Sequence, residues 1–431
     1  MSPGRAKILL PDLGPLRAAL GAGAGGPFML LDAQGDVPSG FLAVGARRSL
    51  TLNAGREGGF EGLEAFISAS TTRTFGWISY DPREMLGCDW DVGLPPPPIE
   101  FPAIHWFEPE VLLKFEGVGP TARIENWAGR DHPWADLAER AIREPFAPGA
   151  RPEDQPLPPT QAHLNPTQYA RAFEGVQGNI QRGDVYELNL CNTLVGRTPV
   201  NERAVFSRLI EATRPPHAAW IGFNEKAILS ASPERFLKRE GDRLVSQPIK
   251  GTAPRLPDPA LDLAAAERLK ADPKERAENV MITDLVRNDL SRVAQKSTVE
   301  VTELCGVHSF KNVHQMISTV VCTVRNGVGM AEILRATFPM GSMTGAPKQR
   351  AMELISTYEP AQRGLYSGAL GWADPGGDFD LSVVIRTALI DHRTHAFVVQ
   401  TGGAITCAAA QQAEWDETLL KARTLLEALA P

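Results

Sequence analysis

Long apolar runs are absent: nowhere in the 431 positions do about 18 apolar residues follow one another, which excludes a helical membrane span. Cysteine is scarce. The five residues, Cys88, Cys191, Cys305, Cys322 and Cys407, are odd in number, far apart and form no CxxC pair. A disulfide framework and a thiolate zinc site are therefore not expected, and a reducing compartment is. Basic blocks are missing too. The 44 Lys and Arg against 51 Asp and Glu leave a net charge of −7, which ill suits phosphate-backbone binding, so no nucleic-acid partner is expected. Met1 to Leu10 lack the apolar core and cleavage site of a secretory leader. No GxxxxGK[ST] phosphate loop occurs. What remains is an ordinary globular composition, 43% hydrophobic and 22% charged, enough to bury a sizeable core. The expectation is a cytoplasmic enzyme.

Proline marks the organisation. Pro145, Pro148, Pro152, Pro156, Pro158, Pro159 and Pro166 crowd one stretch. Each fixes φ and removes a backbone donor, so this stretch reads as an extended connector. It divides the chain into a mainly β region at 1–145, a connector at 146–166 and a larger region at 167–431. Pro95 to Pro98 read as a loop. Phe28–Leu31 and Phe75–Tyr80 read as strands, as do Ala227–Ser232, Ser382–Ile390 and Ala396–Thr401. Strands and helices do not alternate at a βαβ rhythm, so the fold class is α+β.

Two helices carry acids where acids are costly. Asp272-Pro273 opens a helix running to about Val293. On a wheel, Met281, Ile282, Leu285 and Val286 share one face, with Lys274, Arg287 and Arg292 on or near the opposite side. Glu278 falls on the apolar face and Glu275 lies at its margin. A buried carboxylate there needs an Arg or Lys partner, a proton or a hard cation. The last helix, about Ala409 to Ala430, buries Trp415, Leu419, Ala422, Leu425, Leu426 and Leu429. Glu414, Glu417 and Lys421 run beside that face. Glu417 and Lys421 make an ordinary i,i+4 pair, yet two helices each offering two glutamates can also supply the few oxygens that Mg²⁺ takes while keeping its waters.

The intervening segments hold further candidates. Gly341 to Lys348 precedes a helix and presents backbone N–H groups suited to an anion. Gly402-Gly403, after a strand, can do the same for a carboxylate. Arg386 is either a bidentate carboxylate fork or a structural arginine. Lys250, held between Pro248 and Gly251, is either a solvated charge or a nucleophile of lowered pKa. Glu234, at a strand end, is a general acid or a turn residue, and His314 is by default a satisfied core histidine. The residues alone point to a Mg²⁺-dependent enzyme acting on a small anion.

In order along the chain, these segments resemble the chorismate-utilising enzymes. The resembling stretches are Ser232 to Phe236, Pro248 to Thr252, Arg276 to Met281, Asp284 to Asp289, Gly341 to Lys348, Tyr366-Ser367-Gly368, Ile385-Arg386-Thr387, Gly402-Gly403 and Glu414 to Lys421. They span about Thr167 to Leu429. Leu30-Leu31-Asp32 and Gly76 to Tyr80 match more loosely. The resemblance implies two large, mostly antiparallel sheets packed as a sandwich, helices outside and the active site between. It implies Mg²⁺ on the ring carboxylate of chorismate, held by Glu278 and Glu414, with Glu275 and Glu417 directly or through water. Lys250 is then the nucleophile at C2 and Glu234 the acid at the leaving C4 hydroxyl, with His314 beside the ring. Thr344 and the Gly402-Gly403 amides hold the ring end, and Tyr366, Arg386 and Lys421 the carboxylates.

The resemblance also bears on the subfamily. Position 250 is typically lysine in members that aminate C4 and alanine in those that form anthranilate. Water-adding members carry a lysine near position 187, and amine-adding ones often a glutamine; this sequence has Glu187. The expected reaction is amination of chorismate at C4. The alternatives are an anthranilate synthase component I and a catalytically silent regulatory paralogue. No Cys-His-Glu glutaminase signature and no appended lyase are seen, so ammonia is expected from a glutaminase subunit or from free ammonium.

Overall fold

The computed structural model describes residues 10–20, 26–33, 39–53, 58–80, 93–145, 156–310 and 312–430. Cys88, residues 1–9 of the leader reading and 146–155 of the connector lie outside them. Two large antiparallel sheets dominate. The first has eleven strands. Its path runs Gly345–Ala346, Glu187–Arg197, Ala396–Thr406, Thr387–Asp391, Lys226–Ser232, His217–Phe223, Phe28–Ala33, Ser39–Val44, Val111–Glu116 and Arg123–Ala128. Thr160–Ala162 pairs beside Glu187–Arg197. The second has ten. It runs Ile249–Pro254, Val313–Thr323, Arg243–Ser246, Arg235–Glu240, Phe379–Val383, Gly364–Ala373, Thr74–Tyr80, Ile104–Glu108 and Arg48–Leu52, with Glu300–Ser309 beside Val313–Thr323. The α+β class and the two-sheet architecture are thus as expected.

Alternating apolar side chains fuse the sheets. Met29, Ala219, Ile228 and Val398 of the first sheet pack in one cluster with Phe75, Trp77, Phe107 and Leu370 of the second. Helices cover the outer faces: Pro273–Ser291 and Met330–Thr337 pack on the second sheet through Ile282, Val286, Ile333 and Leu334. Glu202–Thr213 and Gln411–Leu429 pack on the first through Phe206, Leu209, Leu425 and Leu429. Both sheets mix strands from 1–145 and 167–431: Phe28–Ala33 pairs with His217–Phe223, and Thr74–Tyr80 with Gly364–Ala373. No described helix is long and apolar enough to cross a membrane.

Three details depart from the sequence reading. Ser382–Ile390 is not one strand: Phe379–Val383 lies in the second sheet and Thr387–Asp391 in the first, with Arg386 at φ 50° between them. Both ends are buried, so the hydrophobic pattern runs on through the crossing. Gly402-Gly403 does not follow a strand but lies inside Ala396–Thr406, paired with Cys191 and Leu190. Finally, the last helix buries Ala422, Leu425, Leu426 and Leu429 as expected, but its inward face takes in Glu414 and Thr418 in place of Leu419, which is 41% exposed. Glycine at 403 permits this, since a Cβ there would meet Glu414 Oε2 at 2.9 Å.

Candidate active site

The two sheets come together near one end of the sandwich, at the last strand of the second and the strand next to the edge of the first. Glu187 begins Glu187–Arg197 in the first sheet, and Lys250 lies in Ile249–Pro254 of the second. Lys250 Nζ donates to Glu187 Oε1 at 2.6 Å, and the two side chains are 11% and 1% exposed. Pro248 leads into the lysine, and Gly251 at φ 87° follows it where the pairing with Val313–Thr323 is bulged. Burial opposes the charge on Lys250, but the surrounding carboxylates, Glu187 foremost and then Glu278 and Glu234, hold its ammonium above the ordinary lysine value.

Glu234 stands where the chain leaves Lys226–Ser232 in one sheet and enters Arg235–Glu240 in the other. The crossing at Val384 to Arg386 runs alongside. Val383 N–H donates to Glu234 O at 3.0 Å and Ala231 N–H to Arg386 O at 3.0 Å, so each crossing braces the other. Glu234 Oε1 accepts from Ser342 Oγ at 2.7 Å. Burial pushes the Glu234 carboxyl up to about 7, against the smaller opposing effects of Ser342 and Lys250. Such a carboxylic acid keeps its proton near neutrality and can donate it.

The second group of acids gathers between the two helices. Asp272 caps Pro273–Ser291, accepting from Lys274 N–H and Glu275 N–H. One turn on, Glu278 is buried and its Oε1 accepts no hydrogen bond from described residues. Burial pushes its carboxyl up to about 7. Lys274, read from the wheel as facing away, instead reaches Glu414 at 3.3 Å and Glu278 at 3.8 Å. A long stem lets its head swing over the i,i+4 neighbour. Glu414 is buried and its carboxyl is raised by that burial. Glu275 is half-buried, with Oε2 3.0 Å from where a Cβ on Gly251 would sit. Glu417 is paired with Lys421 at 2.7 Å and is 45% exposed. Among the described residues, no three His, Cys, Asp or Glu side chains converge as a ready-made metal cage. Glu278 and Glu414 nonetheless share one cationic neighbour, and hard carboxylate oxygens fit a cation that retains several waters.

The remaining candidates divide. Lys421 Nζ donates to Gly402 O at 2.8 Å, and Arg386 Nη1 to Lys421 O at 3.2 Å, which gathers Arg386, Gly402, Lys421 and Glu417. Tyr366 is buried, its hydroxyl pushed well up by that burial. Thr344 Oγ1 bonds back to Met340 O and Gly341 O within its own turn, while its carbonyl accepts from Asn189 N–H. His314 lies in Val313–Thr323, opposite Ala253 of the strand that carries Lys250. Its Nδ1 meets Ser309 Oγ at 2.8 Å and its Nε2 meets Asp262 Oδ1 at 3.0 Å, so both ring nitrogens are engaged in a structural network. Strand alternation puts it on one face with Met316, which packs against Leu269 and Cys305.

Sequence reasoning missed Ser342, Lys274 and Arg363. Ser342 stood in a turn read only for its backbone. Arg363 gave no signal at all, yet it is 1% exposed and bonds Glu359, Met343 O, Ser367 Oγ and Asn189 O.

A family model described as chorismate binding enzyme matches residues 26–427, almost the whole chain. The chain belongs to the chorismate binding enzyme family. Within known sequences, the aminodeoxychorismate synthase component 1 of Klebsiella aerogenes is 40% identical over 270 residues, which is 62% of this chain and 59% of that protein. The anthranilate synthase component 1 of Streptomyces coelicolor is 37% identical over 303 residues, 67% of this chain and 58% of that one. The matched segments thus span under two thirds of these relatives. The crystal structure of anthranilate synthase component I from Streptococcus pneumoniae superposes with a TM-score of 0.74 at 24% identity, covering 90% of this chain and 91% of that one. That likeness supports the family's fold.

Proposed function

We propose that this protein aminates chorismate at C4 to 4-amino-4-deoxychorismate, with Mg²⁺ as cofactor and ammonia from a glutaminase partner, supplying 4-aminobenzoate for folate synthesis. The observation that carries the reading is the desolvated Lys250, braced by Glu187 beside a Glu234 whose carboxyl titrates near 7. A nucleophile and an acid are thereby held in one water-poor space. Similarity to proteins named aminodeoxychorismate synthase component 1 supports the regiochemistry, and the word component supports a partner subunit.

Glu278 and Glu414 hold the cation in this reading, with Glu275 and Glu417 at its margin. Bound there, Mg²⁺ supplies charge neutralisation and orientation for the ring carboxylate. Arg386 and Lys421 receive the carboxylates, beside Tyr366, and the Thr344 turn and Gly402-Gly403 close the ring end. Lys250 attacks C2 while Glu234 protonates the departing C4 hydroxyl. Ammonia then adds at C4 and the lysine is expelled. His314, bonded to Ser309 and Asp262, stands on the strand paired with that of Lys250 and is placed beside the ring in this reading.

A second reading, amination at C2 with loss of pyruvate to give anthranilate, is favoured by the similarity to the Streptomyces coelicolor protein. The test is product identification by chromatography and mass spectrometry after mixing the protein with chorismate, Mg²⁺ and ammonium. 4-Amino-4-deoxychorismate, convertible by an added lyase to 4-aminobenzoate, is the expected product. Anthranilate would overturn the C4 assignment.

A further inference from the structure

Glu187 has no part in the steps above, yet it is the hydrogen-bonded partner of the group that begins them. Its backbone is fixed on both sides, by Ala346 across one edge and Thr406 across the other. Its Oε1 accepts from Lys250, while Oε2, equally buried, has no hydrogen-bond partner among the described residues. A half-satisfied carboxylate in a dry site is costly to retain for packing alone. The lysine beside it must be neutral to act as a nucleophile. Acids face that lysine from every side: Glu234 from the sheet crossing, Glu275 and Glu278 from the helix Pro273–Ser291, and Glu417 from the last helix. They favour the ammonium, so the amine has to be unmasked within the site. Glu187 is the acid bonded to it.

We propose that Glu187 takes the proton of Lys250 Nζ inside the buried pair before the amine attacks, and returns it when the amine is expelled. The inference rests on the amination reading. In the first half, an Nζ–H bond breaks and an O–H bond forms on Glu187. The freed lone pair makes the C2–N bond, the ring double bonds shift toward C4, and the C4–O bond breaks with the Glu234 proton to release water. In the second half, the ammonia lone pair makes the C4–N bond, the double bonds shift back, and the C2–N pair returns to Lys250. Lys250 then recovers its proton from Glu187, and Glu234 recovers its own from the new C4 ammonium. A glutamine at 187 can hold the lysine but cannot accept the proton.

The test compares Glu187→Gln with the native protein as a rate ratio across pH, so that the titration of Glu234 and the other flanking acids, present in both, cancels. At pH 7 the variant is expected to be slower by roughly tenfold or more, with KM for chorismate little changed. The ratio should close toward one as pH rises and Lys250 can lose its proton to solvent. In a Lys250→Ala background, Glu187→Gln should add no further loss. A ratio of one or above at pH 7 overturns the proposal, as does a loss independent of pH or a further loss in the Lys250→Ala background. Acetic anhydride labelling of Lys250, followed by peptide mass spectrometry, reads the pair without chorismate. Its pH midpoint should fall in Glu187→Gln, and an unmoved midpoint also overturns the proposal. If the native protein makes no aminated product while the midpoint does shift, the amination reading has failed and the pair has not.

Discussion

In the proposed reaction Glu234 carries the proton that releases the C4 hydroxyl as water, and its burial sets the pH at which it can do so. Its carboxyl, pushed up to about 7, is protonated below that value and ionised above it. kcat is therefore expected to fall as pH rises through about 7. In Glu234→Gln that limb should vanish at a rate lower by about 10²–10⁴-fold, which a pH–rate profile checks. Glu278 obeys the same physics with a consequence for stability. Its folded value of about 7 exceeds the unfolded carboxylate range, so its stabilising effect is present at low pH and lost as pH rises toward 7. Without Mg²⁺, Glu278→Gln should accordingly stabilise the fold by roughly 1–2 kcal/mol at pH 8 and by little at pH 5. Adding Mg²⁺ should raise the melting temperature of the native protein and barely move that of the variant, which calorimetric scans with and without chelator would read. Helical spacing puts Glu414 only beside its apolar face, whereas the structure buries it; the costly position of Glu278 was visible from that spacing. The role of Lys274 was not, because a wheel gives the direction of Cβ and not the reach of a four-carbon stem.

At the scale of elements, the site depends on short segments that pack too closely for side chains. Gly345 has φ 150°, and a Cβ there would lie 2.1 Å from the Glu187 carbonyl oxygen. The two-residue strand Gly345–Ala346 closes the edge of the first sheet on Glu187 and Leu188. Gly345→Ala should cost about 1–3 kcal/mol in denaturant unfolding and also lower kcat, because Glu187 and the Thr344 turn move with it. A stability loss with unchanged kcat would separate the strand from the site. Sequence marked this stretch for its glycines and backbone donors. It could not say that those glycines make room for another strand, since the neighbour lies more than 150 residues away in the chain.

Across the whole molecule, Arg363 ties the two sheets together. Its guanidinium bonds Glu359 just past the end of the helix Lys348–Tyr358, Ser367 in the second sheet and the Asn189 carbonyl in the first, all buried. Removing one partner of such a pair strands the other charge out of water. Arg363→Met should cost about 3–5 kcal/mol in urea unfolding, and Arg363→Met with Glu359→Leu distinctly less. A cost in the double variant equal to that of the single would place the energy in the carbonyl and hydroxyl bonds instead. The sheets themselves cross the proline-rich stretch freely, with strands from 1–145 seated among those from 167–431.

What the sequence determined by itself was chemistry and class. The apolar alternation, the caps at Asp272 and Pro273, and the acids on buried helical faces are local, and local patterns survive in one dimension. The ordered motifs added the family, because their residues are set by a shared chemistry. The tertiary structure alone decided which side chains meet: Lys250 with Glu187, Lys274 with Glu414, His314 with Asp262. Those pairings join strands and helices up to 140 residues apart. A continuous hydrophobic run such as Phe379 to Asp391 cannot announce that it changes sheets midway, because both of its halves are buried.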